Sequence, residues 1–211
     1  MKINMDDYSY ILPKFIISSI RKIRSHYQLR KWIANGKPVP APHIVKQLAI
    51  KEYQQKYNYE VLVETGTFLG EMVEIQKKNF KYVFSVELGL ELYKKAVKRF
   101  DSDLNVKIFF GDSGKVLPSI LLQVNQPSIF WLDGHYSGEI TAKGEKECPI
   151  FEELEAIFAN KSNNHILLID DARCFVGDGD YPTIEELTKV IKGHNNQYKV
   201  EVKDDIIRAF I

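Results

Sequence analysis

Acidic residues directly follow two apolar runs in the second half of the sequence. Asp133 follows "SIFWL", and Asp170 and Asp171 follow "HILLI". If the two runs are neighbouring parallel strands, they lie about 4.8 Å apart and their carboxylates meet in one crevice. Three ionised carboxylates repel one another unless a cation lies among them, and oxygen ligands suit a hard ion such as Mg²⁺, Ca²⁺ or Mn²⁺. The sequence therefore favours a metal site at Asp133, Asp170 and Asp171. The alternative has Asp171 as a helix N-cap and no metal.

A histidine lies close to the first of these carboxylates. His135 stands two residues after Asp133, and an imidazole with its unperturbed pKa of about 6.5 suits a general base. The alternative is that His135 contacts only substrate or backbone. The polar segment 136–149 follows and contains two glycines, a composition typical of a substrate loop or lid.

The first apolar run of the main domain ends in a segment rich in glycine and threonine. It contains Glu64, Thr65, Gly66, Thr67 and Gly70. The glycines permit a tight strand-to-helix turn and the close approach of a ligand to backbone N–H groups. Their spacing matches neither the dinucleotide fingerprint GxGxxG nor a P-loop, so on its own this segment predicts a ligand-binding turn of unspecified type.

Two further runs also end in polar residues. Glu87 ends the second run about 20 residues beyond Gly66, where an acidic residue commonly accepts hydrogen bonds from a ribose diol. A solvated carboxylate is the alternative. The third run ends in Gly111, Asp112 and Ser113. Either Asp112 or Ser113 is expected to cap the next helix, which places polar groups near the same crevice.

The elements that position these residues alternate along the chain. Apolar runs rich in β-branched and aromatic residues occupy 60–65, 82–88, 106–112, 128–134 and 165–171, and helical patterns lie between them. The runs lack strict polar alternation, which predicts parallel strands buried on both faces of a doubly wound α/β fold. After a last helix come "YKVEVKDD" and "IIRAFI", so close together that they predict an antiparallel hairpin at one edge of a mixed, seven-stranded sheet.

Residues 1–57 differ from the rest and are predicted to form a helical N-terminal extension to a main domain spanning 58–211. No acidic residue lies between Asp7 and Glu52, whereas nine lysines and arginines do. Apolar residues there recur at helical spacing, in two groups: Ile16, Ile20, Ile23 and Tyr27, then Leu29, Trp32 and Ile33. A basic amphipathic helix is able to lie on an anionic membrane surface. We favour the alternative that its apolar face packs on the main domain.

Length and composition exclude several classes of protein. The chain has 211 residues, is 45% hydrophobic and carries a formal net charge of +1, so no nucleic-acid partner is expected. Its two cysteines form no metal-binding pattern and are expected to be reduced thiols. Without a transmembrane run or a signal peptide, we expect a cytoplasmic protein. The sequence leaves homo-oligomerisation open.

Five motifs occur in one order: "VETGTFLG", "SVEL", "GDSG", "FWLDGH" and "LLIDDA". Together they resemble the class I S-adenosylmethionine-dependent methyltransferases. Within that superfamily the chain is similar to metal-dependent O-methyltransferases of the catechol type, and more closely to the macrocin type, which methylates sugar hydroxyls. The resemblance covers about residues 58 to 211 and combines the motifs with the terminal hairpin.

The resemblance implies a role for each motif. Glu64, Gly66 and Gly70 would line the methionine portion of S-adenosylmethionine, Glu87 would hold the ribose hydroxyls, and Asp112 and Ser113 would flank the adenine. The remaining cofactor-binding residues that it implies are Thr65, Thr67, Gly111 and Asp133. The three aspartates stand where the family binds Mg²⁺. The catechol type has a lysine base shortly after the first aspartate, and Tyr136 stands here instead. His135 occupies the position at which the sugar-type enzymes carry an acidic candidate base.

These observations predict a metal-assisted O-methyltransferase acting on a hydroxylated small molecule, such as a sugar or glycan precursor. A nicotinamide-dependent oxidoreductase is the first alternative, and the Gly-x-x-x-Gly spacing disfavours it. A non-catalytic cofactor-binding module, held at a membrane by the basic helix, is the second. The gathered carboxylates disfavour it, because a module without catalysis has no need of them.

Overall fold

A computed structural model of the protein describes residues 14–134, 146–160 and 164–211. In these ranges seven strands form a single sheet. The strands are β1 (Val61–Thr65), β2 (Tyr82–Glu87), β3 (Val106–Phe110), β4 (Ile129–Leu132), β5 (Ile166–Ile169), β6 (Lys199–Lys203) and β7 (Ile206–Phe210). The helices are α1 (Lys14–Ala34), α2 (His43–Tyr57), α3 (Glu71–Gln76), α4 (Leu90–Arg99), α5 (Ser113–Leu121), α6 (Ile150–Ala159) and α7 (Ile184–His194).

The strand order confirms the predicted doubly wound, mixed sheet. From edge to edge the order is β3-β2-β1-β4-β5-β7-β6. β1 to β5 are mutually parallel, and β7 pairs antiparallel with both β5 and β6. Asp204 and Asp205 connect β6 to β7 with φ of 56° and 64°, the left-handed values that a tight two-residue hairpin turn requires. The order reverses between β1 and β4, where this fold class binds its ligands.

Helices cover both faces of the sheet, which explains why its strands are apolar without alternation. On one face α5, α6 and α7 pack their buried residues against the strands, and these residues are Leu117, Ile120, Leu154, Ile157, Leu187 and Ile191. On the other face α2 and α3 do the same with Ala49, Ile50, Tyr53, Met72 and Val73. The central strands are therefore held rigidly, and their carboxyl ends are fixed relative to one another.

Helix α2 belongs to the hydrophobic core of the sheet although it precedes residue 58. Its residues Ile50 and Tyr53 pack in one cluster with Trp131 of β4. The side-chain amide of Gln76, at the end of α3, donates a hydrogen bond of 3.0 Å to the carbonyl of Gln47. These contacts fix the rotation and position of α2 against the sheet.

Of the α1 side chains that the structure describes, only Trp32, near the C-terminal end of the helix, is buried. Trp32 is buried beside Ala41 and Val45, whereas Ile23 and Tyr27 are 71% and 66% exposed. The expectation that the apolar face of this helix packs on the main domain is therefore wrong at these two residues. The buried contact is made by Trp32 of the second apolar group, whereas Ile23 and Tyr27 belong to the first. In the described ranges, no helix combines the length and apolar character needed to cross a bilayer.

Candidate functional site

The polar residues predicted from the sequence lie side by side at the carboxyl ends of the parallel strands. β1, β2, β4 and β5 are parallel, so their carboxyl ends lie side by side. Glu64 and Thr65 end β1, and Glu87 ends β2. Asp133 follows β4 and Asp170 follows β5. The site is therefore a row of carboxylates along the edge at which this fold class binds its ligands.

The turn after β1 is tight and requires glycine for a specific reason. Gly66 has a φ of 86°, and a Cβ atom there would lie 2.3 Å from the backbone oxygen of Asp133. The backbone N–H groups of Gly66 and Thr67 both donate to the carbonyl of Val86. Gly70, which precedes α3, has a φ of 72°, and a Cβ there would lie 2.8 Å from the ring of Phe100. Both glycines thus let the turn lie close to neighbouring elements.

Glu64 is a buried carboxyl group at the bottom of this turn. It accepts a hydrogen bond of 2.5 Å from the hydroxyl of Ser85, which lies 2.6 Å from the hydroxyl of Thr67. Burial raises the pKa of Glu64 to about 8, against the lowering effect of the Ser85 hydrogen bond. The group is therefore largely protonated near neutral pH and is able to ionise when a cation arrives.

Glu87 is oriented by the backbone around it. One carboxylate oxygen accepts from the N–H of Phe68 at 2.7 Å, and the other accepts from the N–H of Gly89 at 2.8 Å. Burial raises its pKa against these hydrogen bonds. Phe110 pairs in register with Glu87 on the neighbouring strand β3, and both Phe110 and Phe68 expose large parts of their rings. A fixed carboxylate thus lies beside exposed aromatic surface, and neither ring was identified from the sequence.

The third polar segment, Gly111 to Ser113, lies at the N-terminal end of α5. The side chain of Asp112 accepts from the N–H of Gly114 at 3.0 Å, so Asp112 is the helix N-cap. The hydroxyl of Ser113 donates to Glu153 of α6 at 2.6 Å. Gly111 has a φ of 134°. Of the two residues proposed to cap this helix, the structure assigns the cap to Asp112 and turns Ser113 toward the interior.

The three aspartates lie together at the ends of β4 and β5. The N–H of Asp133 donates to both oxygens of Thr65, backbone and side chain, at 3.2 Å. Asp171 has a φ of 56°, and its N–H donates to a carboxylate oxygen of Asp170 at 2.8 Å. Burial, followed by the charge of Asp170, raises the pKa of Asp133 well above its usual value. Burial also raises the pKa of Asp170, although Lys46 opposes this.

Two cations of the chain itself contact this cluster, and the sequence analysis assigned neither to the site. Lys46, on the first turn of α2, hydrogen-bonds to Asp170 and lies 3.5 Å from Asp171. Arg173 Nη1 donates to Asp171 at 2.7 Å and also binds Asp205. The carboxylates of Asp170 and Asp133 raise the pKa of Lys46 although burial opposes the rise. The ammonium therefore stays charged.

The arrangement of these side chains does not fit a divalent metal ion. Three oxygens already accept hydrogen bonds from Lys46, Arg173 or a backbone N–H. In residues 14–134, 146–160 and 164–211, no group of three or more His, Cys, Asp or Glu has the geometry to hold a metal. His135 and most of the predicted loop 136–149 lie outside the described residues, so the base proposed at His135 stays a prediction.

No family model matches the sequence, and no curated protein is similar to it in sequence. Solved structures share its fold. The O-methyltransferase from Bacillus cereus in complex with SAH has a TM-score of 0.57 at 11% identity, with 99% of this chain and 97% of that chain covered. The O-methyltransferase TomG from Streptomyces achromogenes, involved in tomaymycin synthesis and solved with SAM, has a TM-score of 0.55 at 14% identity, with 89% and 88% covered.

A third structure, the SAH-bound methyltransferase PaMTH1 from Podospora anserina, has a TM-score of 0.55 at 13% identity, covering 95% of this chain and 97% of that one. These likenesses extend over nearly the whole chain. At such identities they concern the fold, and the chain therefore has the α/β fold of S-adenosylmethionine-dependent O-methyltransferases.

Proposed function

We propose that the protein is an S-adenosylmethionine-dependent methyltransferase that methylates a hydroxyl oxygen of a small molecule, with a sugar or glycan precursor as the acceptor class. The observation that carries the proposal is the pairing of Glu87 with the exposed rings of Phe68 and Phe110 at the carboxyl edge of the sheet. Solved structures of similar fold contain SAM or SAH, which supports the same ligand here.

The adenosine half of the cofactor needs an acceptor for two ribose hydroxyls and an apolar surface for the base. Glu87 supplies the acceptor, because its carboxylate is fixed by two backbone N–H groups and keeps further lone pairs for a diol. Phe110 is 48% exposed, and an exposed aromatic ring beside a fixed carboxylate offers a stacking surface for a purine. Both features lie within one strand spacing of each other.

The methionine half carries an ammonium and a sulfonium, both cationic. Glu64 lies beneath the turn Gly66–Gly70 and is mostly protonated when no cation is near it. An arriving ammonium favours the ionised carboxylate, so Glu64 is suited to hold the amino group of the cofactor.

S-adenosylmethionine supplies an electrophilic methyl group when bound. Transfer of that methyl group to a hydroxyl oxygen would break the carbon–sulfur bond, leave its electron pair on sulfur and release the hydroxyl proton, which a base of the chain would accept. His135 is the proposed base for that proton, and Asp133 lies two residues before it at the end of β4. Metal assistance is not included, because Asp170 and Asp171 already bind cations of the chain.

A calorimetric titration tests the proposal. Wild-type protein is expected to bind S-adenosylhomocysteine, and Phe110→Ala to bind it at least about fivefold more weakly, since stacking on a base contributes about 1–3 kcal/mol. Tyr82→Ala is the matched control, because Tyr82 is a similarly exposed aromatic at the opposite end of β2. Binding of reduced nicotinamide dinucleotide in preference to S-adenosylhomocysteine would favour the oxidoreductase alternative instead.

A further inference from the structure

The carboxylate cluster at the ends of β4 and β5 already contains a cation supplied by the N-terminal part of the chain. Lys46 Nζ hydrogen-bonds to one oxygen of Asp170 and lies 3.5 Å from Asp171 Oδ1. The side chain of Asp170 is fully buried, and that of Lys46 is only 16% exposed. This lysine is therefore largely removed from water, unlike an ordinary surface ion pair.

Three of the carboxylate oxygens that a divalent ion would use, on Asp170 and Asp171, already have donors. Asp170 Oδ1 accepts the N–H of Asp171 at 2.8 Å, and Asp170 Oδ2 accepts from Lys46. Asp171 Oδ1 accepts from Lys46 and, at 2.7 Å, from Arg173. An incoming metal would have either to displace the ammonium or to place its own charge beside it, and like charges at this distance repel strongly.

The backbone that carries Lys46 is held firmly in place. Val45 and Ala49 beside it are buried, and Ile50 on the next turn is fully buried in the core of the sheet. The carbonyl of Gln47 accepts a hydrogen bond from α3. Because α2 is fixed on both sides, the lysine side chain is delivered to the cluster by packed structure and not by a mobile segment.

We infer that Lys46 is the resident cation of this site and takes the position at which the family resemblance implies Mg²⁺. The inference extends the proposed function and rests on it for its catalytic consequence. An ammonium has three N–H donors, and two of them reach Asp170 and Asp171. The third is able to hold the acceptor oxygen near the methyl group, so methyl transfer proceeds without a divalent ion.

A manganese titration followed by electron paramagnetic resonance tests the inference without cofactor or acceptor. Wild-type protein should leave the signal of free Mn²⁺ unchanged. Lys46→Met keeps the aliphatic stem and removes the charge, so it should bind Mn²⁺ roughly thirtyfold more tightly or better, the factor expected for a unit charge about 4 Å from a divalent ion even in water. Lys46→Ala should do the same, and Lys46→Arg should not bind.

Lys51→Met is the matched control, because Lys51 is exposed on the same helix and its loss should leave Mn²⁺ unbound. Mn²⁺ binding by wild-type protein would overturn the inference, and so would failure of both Lys46→Met and Lys46→Ala to gain binding. S-adenosylhomocysteine binding is measured on the same samples. If wild-type protein did not bind S-adenosylhomocysteine, the proposed function would be contradicted. The manganese results would still decide the role of Lys46.

Discussion

Replacement of Glu64 by glutamine should remove a large pH dependence from the stability of the protein. The pKa of the buried carboxyl is about 8 in the folded protein, whereas the ordinary pKa of a glutamate, which applies to the unfolded chain, is 4.5. The folded state therefore keeps a proton that the unfolded chain releases, so stability is complete below about pH 4.5 and falls as pH rises toward 8. The amide of the variant is neutral at every pH and has nearly the same shape as the protonated acid.

The size of the effect follows from linkage. Between about pH 5 and about pH 8 this one group lowers the free energy of unfolding of the wild type by about 3 to 4 kcal/mol. The free energy of unfolding of Glu64→Gln should not fall in this way, so the variant should become more stable relative to wild type by this amount over the same interval. Urea unfolding of both proteins at the two pH values measures it. If the difference in free energy of unfolding between the two proteins were the same at both pH values, the carboxyl would be ionised in the folded state, and the reasoning would be refuted.

Three further outcomes are expected. Binding of S-adenosylhomocysteine near neutral pH should release close to one proton from Glu64, measured by calorimetry in buffers of different ionisation enthalpy; a buffer-independent heat would contradict it. Gly66→Ala should destabilise by about 3 kcal/mol, since strain adds to a backbone clash, whereas Gly36→Ala, with similar φ but open space, should cost only about 1 kcal/mol in chemical denaturation. Ile23→Ser should change the free energy of unfolding by less than about 0.5 kcal/mol and Ile50→Ala by about 2 to 5 kcal/mol; equal losses would place Ile23 in a packed interface.

The sheet could be read from the sequence because its signals are local. Five apolar runs ending in polar residues predicted β1 to β5, and the close spacing of the last two runs predicted the hairpin whose turn Asp204 and Asp205 form. The strands are shorter than the runs, and in the second to fifth runs the last residues lie beyond the end of the strand. Asp133, which follows β4 and is not part of the strand itself, is one example.

The partners of the site residues could not be read in the same way, because they depend on contacts between distant segments. Lys46 lies 124 residues from Asp170, and only the packing of α2 on the sheet brings them together. A signal for that packing exists in the buried positions Val45, Ala49, Ile50 and Tyr53, which repeat at helical spacing and leave Lys46 at the border of the buried face.

The exposed aromatic residues show a second limit of sequence reading. Phe110 belongs to the run 106–112, which was predicted to form a strand buried on both faces, yet it lies on the edge strand β3 and is half-exposed. Edge position is a property of strand order and not of local sequence. The apolar face of α1 illustrates the same point, because helical spacing predicts a face and does not identify what covers it.

The central claim is that an S-adenosyl cofactor binds along the carboxyl edge of the sheet. A crystal structure of the protein with S-adenosylhomocysteine tests it most directly. We predict the ribose hydroxyls on Glu87, the purine against Phe110 and the amino group on Glu64. Binding of the ligand at another place, such as the cavity of about 350 Å³ lined by His165 and His194, would contradict the account.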